Sequence, residues 1–89
     1  MPTNRRIEMT IKPQITINGT STGELLEQLI DALQALDLAK KALGRAAPNG
    51  RDYAALGSRV FGQVQQDHAD RIKRLDDTIA ELSEIAESL

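Results

Sequence analysis

Apolar and polar residues alternate from Arg6 to Lys12. Ile7, Met9 and Ile11 fall on one side, and Arg6, Glu8, Thr10 and Lys12 fall on the other. A two-residue period predicts a half-buried β-strand. Pro13 interrupts it, since proline has no N–H for a ladder, and Ile15 and Ile17 of "QITIN" resume on one face. The expected element is a short kinked strand or a two-stranded ribbon. A ribbon of that size is barely stable alone. It must lie on the helices or pair with its counterpart in another chain.

The period then changes. Asn18-Gly19 reads as a turn, and Ser21 with Glu24 three residues later reads as a capping box, with Thr20 as a rival cap. From about Thr22 to about Ala46, Leu25, Leu26, Leu29, Ile30, Leu33, Leu36, Ala39, Ala42 and Leu43 recur at helical spacing. Glu24 and Glu27 stand in the first turns and Lys40, Lys41 and Arg45 in the last, which suits the helix dipole. Pro48 stops the helix. Asp52 is a candidate cap for a short turn and Ser58 for a second long helix, and Gly57 and Gly62 are soft points. His68, Ile72, Leu75, Ile79, Leu82, Ala86 and Leu89 then alternate steps of four and three, extended backward by Phe61 and Val64. That is a heptad seam along a long amphipathic helix.

The predicted fold is mainly α with a small β part. It is a single domain, with an N-terminal β ribbon over 1–18, helix one over 20–46, a loop over 47–57 and helix two over 58–89. The two helices form an antiparallel hairpin, burying one apolar stripe against the other. Leu25 beside Leu26 and Leu29 beside Ile30 exceed what one partner helix covers, which with the unpaired ribbon predicts a homo-oligomer, dimer or higher.

Composition narrows the chemistry. The chain has 89 residues, one Phe, one Tyr, no Trp and no Cys. Leu, Ile, Val and Ala must therefore supply the packing, while disulfides and thiolate chemistry are excluded. The net charge of −2, from 11 basic and 13 acidic residues, argues against DNA as a partner. No apolar run nears the roughly 20 residues that span a bilayer, so no membrane partner is expected. The start "MPTNRRIEMT" has positive charge without a following apolar core, so it does not read as a secretory signal. A cytoplasmic protein is the expectation.

No catalytic signature stands out. His68 is the single histidine, there is no nucleophile elbow or Gly-rich phosphate loop, and Asp76 and Asp77 point in different directions on a helix. The chain reads as a non-enzyme without cofactor or metal. The candidate ligand-binding residues are Asn49, Arg51, Asp52, Tyr53, His68 and Arg71. Pro48 and Asn49-Gly50 explain the chain reversal in "APNGRDYAALG"; Arg51, Asp52 and Tyr53 go beyond what a turn needs. Either Tyr53 packs over the helix ends while Arg51 pairs with Asp52 or another acid, or the loop binds. In the second case Tyr53 stacks on a base, Arg51 grips a phosphate and Asn49 reads an edge. His68 either bonds a neighbour in the seam or touches the ligand. Arg71, three residues on, either pairs with Asp67, Asp70 or Asp76 along with its basic neighbours, or helps form an anion pocket.

The stretches "ITINGTSTGELLEQLIDAL", "APNGRDY" and "DHADRIKRLDDTIAEL", spanning Ile15 to Leu89, resemble a family of small proteins encoded by tailed bacteriophages and prophages. The resemblance implies a phage protein acting in the host cytoplasm, where small non-virion phage proteins often counter host defences. In outline the predicted architecture is similar to phage proteins that sequester cyclic oligonucleotide or cyclic ADP-ribose signals between subunits of a symmetric oligomer. The expected function is thus non-catalytic sequestration of a phosphate-containing nucleotide immune signal. The alternative is an inhibitor or accessory phage protein that docks on a host or phage protein through the acidic end of helix two. A virion component is a third option.

Overall fold

A computed structural model of the protein describes residues 10–89. Two helices dominate: α1 over Thr22–Arg45 and α2 over Ser58–Glu87, with a 3-10 helix at Gly50–Leu56 between them. At about 1.5 Å per residue they are roughly 36 and 45 Å long. The pairing is antiparallel, because Lys40 near the end of α1 bridges Asp76 in α2, and Lys12 ahead of α1 reaches Glu84 near the end of α2. The chain is a helical hairpin.

The local reasons are visible at the ends. Ser21 Oγ accepts from the Glu24 N–H at 3.1 Å, and Glu24 Oε1 accepts from the Ser21 N–H at 3.4 Å, closing the capping box. The last turn of α1 tightens, with the Ala46 N–H donating to the Leu43 carbonyl, and Pro48 prevents continuation. Gly57 starts α2 at φ 93° and ψ 161°, a conformation reserved for glycine.

The seam follows the heptad pattern. Phe61, Val64, His68, Ile72, Leu75, Ile79, Leu82, Ala86 and Leu89 are all half-buried. From α1 the half-buried residues include Leu25, Leu26, Leu29, Leu33, Leu36 and Leu43. Ile30, Ala39 and Ala42, expected in that stripe, are exposed instead. A single partner helix covers only one side of α1, and these three fall beyond its edge.

No described residue is fully buried. The reason is thickness: the molecule measures 61 × 30 × 16 Å, so it is one layer of helices. Its radius of gyration is 17.9 Å, whereas a compact chain of this length has about 12 Å. A core in the usual sense is absent among the described residues; in its place is a two-helix seam.

The ribbon expected over 1–18 is not formed among the described residues. Its first part, including Arg6, Ile7, Glu8 and Met9, lies outside them. Residues 10–16 are irregular, and a turn comes next in which the Gly19 N–H donates to the Thr16 carbonyl at 3.2 Å. A strand needs a ladder partner, and none of the described segments offers one. Ile11 and Ile17 are 87% and 97% exposed as a result. A side-chain ion pair helps anchor this segment. The Lys12 Nζ–Glu84 Oε1 contact of 3.1 Å holds it near the end of α2, where Glu81 to Ala86 are all half-buried.

Candidate ligand site at the loop end of the hairpin

The antiparallel register that sets Lys40 against Asp76 carries the end of α1 to about the level of Arg71. The first three turns of α2 therefore project beyond α1. The connector folds back over them. Asn49 caps the 3-10 helix: its Oδ1 accepts from the Arg51 N–H at 2.9 Å and its carbonyl from the Asp52 N–H at 3.0 Å. Asparagine serves here because its short amide imitates a backbone turn.

The 3-10 helix docks through one aromatic contact. The Tyr53 and Phe61 rings have centroids 5.9 Å apart, tilted by 37°. Gly50 lies over the same Phe61 ring, since a Cβ added there would sit 3.7 Å from its Cζ. Tyr53 is thus half-buried with Phe61 behind it, while Asn49, Arg51 and Asp52 are exposed around it. Phe61 was legible only as an extension of the apolar stripe. The available signal was that the chain's two aromatic residues stand eight apart across a turn, one on each side of Gly57.

His68 lies two turns beyond Phe61 on the same face of α2, about 10 Å along the axis, and is half-buried. Arg71 is exposed one turn further. Both sets therefore occupy the loop end of the hairpin, but no hydrogen bond or ring contact joins Asn49, Arg51, Asp52 or Tyr53 to His68 or Arg71 among the described residues.

The charges are divided unevenly. Each lysine in the described residues makes an ion pair: Lys12 with Glu84, Lys40 with Asp76, Lys41 with Asp37 and Lys73 with Asp77. Among the described residues no arginine does so: Arg45, Arg51, Arg59, Arg71 and Arg74 have no carboxylate within salt-bridge distance. The pairing of Arg51 with Asp52 is not formed. The acids nearest Arg71 in sequence are engaged elsewhere, Asp67 by Gln63 at 2.9 Å, Asp70 by Gln66 at 2.9 Å, and Asp76 by Lys40. Arg59, which carried no signal in the sequence pattern, joins the group.

The same ion pairs consume most of the acidic end of α2. Asp76, Asp77 and Glu84 are each neutralised within the chain. No cluster of three metal-ligating side chains occurs among the described residues, and no described helix is long and apolar enough to cross a membrane. The chain matches no family model, no curated protein and no solved structure.

Proposed function

We propose that the protein is a non-catalytic binding module that sequesters a phosphate-containing nucleotide. The observation that carries this reading is the set of unpaired arginines at the loop end, Arg51 and Arg71 above all, in a chain whose described lysines are all paired. A guanidinium left without a carboxylate keeps its planar fork free for two phosphate oxygens. Tyr53, held from behind by Phe61, offers a ring on which a base stacks, and stacking of this kind is worth about 1–3 kcal/mol per base. The Asn49 carbonyl oxygens are spent on the turn, while its side-chain amide N–H groups have no partner among the described residues and are available to a base edge. Asp52 flanks them, and His68 lies half-buried at the same end of the hairpin.

In this reading the exposed loop end closes against another copy in a homo-oligomer. The phage-family resemblance supplies the context: a host-cytoplasmic protein that removes a cyclic oligonucleotide or cyclic ADP-ribose immune signal. Docking on a basic host protein through the acidic end of α2 is disfavoured by the internal pairing of Asp76, Asp77 and Glu84.

Titration calorimetry against cyclic dinucleotides, cyclic trinucleotides and cyclic ADP-ribose isomers tests the reading. Binding heat is expected for one class, with the ligand recovered intact after the protein is denatured. Arg51→Ala and Arg71→Ala should each weaken it about tenfold to hundredfold, the range for losing hydrogen bonds to a charged group. Absence of heat with every ligand in the panel overturns the proposal, as does recovery of a cleaved product.

A further inference from the structure

The outer flank of α1 carries a second pattern that the hairpin leaves unused. Glu27, Ile30, Gln34, Leu38 and Lys41 are all exposed, with Ile30 at 42% and Leu38 at 66%. Their spacings are three, four, four and three, so they line one side of the helix over about 21 Å. With Leu33 and Asp37, the central three edge a shallow apolar hollow of about 460 Å³.

The order along this stripe is self-complementary about Gln34. Reversed end for end, Ile30 falls on Leu38 and Glu27 falls on Lys41. An isologous interface requires this property, because each residue meets the counterpart of its own opposite number. Asp31 and Asp37, which would otherwise repel, sit on opposite edges of the stripe, and Asp37 is already neutralised by Lys41 at 3.0 Å.

We infer that a second copy of the chain covers this flank, with the two α1 helices antiparallel and Gln34 at the two-fold axis. The charge order names the occupant: the stripe has an acid at one end and a base at the other, and a reversed copy of the same stripe matches both ends in register. Ile30 and Leu38 would then pass from half-exposed to covered, and at both ends Glu27 would come beside the other copy's Lys41–Asp37 pair and share its ammonium. With Gln34 at the axis the loop ends of the two copies lie at opposite ends of the dimer, so this interface goes beyond the proposed function and stands apart from the nucleotide site.

Sedimentation equilibrium of the full chain at tens of micromolar should give twice the 9.7 kDa chain mass. Leu38→Glu should return the single-chain mass with helical circular dichroism retained. Glu27→Lys should weaken the dimer about three- to tenfold, the range for two modest ion pairs, and adding Lys41→Glu should restore it. Because the chain has no cysteine, Gln34→Cys gives a clean probe: mild oxidation should link two copies covalently, while Gln28→Cys, about 120° round α1 from it, should not. Should Leu38→Glu fail to fold, the thiol pair still decides. A single-chain mass at these concentrations overturns this interface, and with it any closing of the nucleotide site between copies. A doubled mass indifferent to Leu38→Glu, with no link at position 34, overturns this interface alone and leaves the ligand reading to calorimetry.

Discussion

Replacing Phe61 by Ala should release the 3-10 helix from α2 while leaving both long helices intact. The ring lies against Tyr53, 5.9 Å between centroids, and beside Gly50. Full burial of a Phe side chain is worth about 1.5–3 kcal/mol, so a half-buried one contributes roughly 1 kcal/mol. The aromatic pair adds about 0.5–1.5 kcal/mol. The expected loss is therefore about 2 kcal/mol. At about 4–8 °C per kcal/mol for a domain of this size, thermal unfolding should shift by roughly 8–16 °C. Tyr53 is the only tyrosine and there is no tryptophan, so its near-ultraviolet circular dichroism and fluorescence anisotropy report the docking directly. Both should fall toward free-tyrosine values in Phe61→Ala. Phe61→Leu, which keeps apolar volume and loses the ring pair, should lose about half as much stability. An unchanged Tyr53 signal with an unmoved midpoint in Phe61→Ala would refute the assignment of this contact as the anchor of the loop.

Two glycines give opposite signs. Gly57→Ala forces a Cβ into φ 93° and ψ 161° and should cost about 1–3 kcal/mol in urea unfolding, although nothing stands within 4 Å of the added atom. Gly62→Ala, inside α2 with equally open surroundings, should stabilise by about 0.5–1 kcal/mol. Ser21→Ala removes the acceptor for the Glu24 N–H and should cost about 1 kcal/mol, read as a lower urea midpoint with unchanged slope.

The division between lysines and arginines bears on which surface is available for binding. The lysines pair mostly with acids that are themselves a third to a half exposed, so these bridges contribute little stability. Their larger effect is on the field around the molecule. They remove charge from the acidic end of α2 and leave the arginines as the unneutralised groups near the loop.

Much of the helical architecture was legible from local features. Ser21 with Glu24, Pro48, Gly57 and the alternating fours and threes from His68 to Leu89 each act over a few residues. Capping and proline exclusion therefore determine where α1 begins and ends, and periodicity sets the apolar sides of both helices, whereas α2 starts after Gly57 without the side-chain cap expected of Ser58. What depends on distant neighbours was decided only by the tertiary structure. Residues 10–18 alternate like a strand, yet those described form no ladder, because a strand's hydrogen bonds must come from another segment. Ile30 and Leu38 look like any other apolar helix positions, yet they stand exposed because a single layer of two helices has only one inner side. Tyr53 lies against Phe61, and Arg51 stays apart from Asp52, because three-dimensional packing sets which side chains come within reach of each other, and sequence spacing across a turn does not.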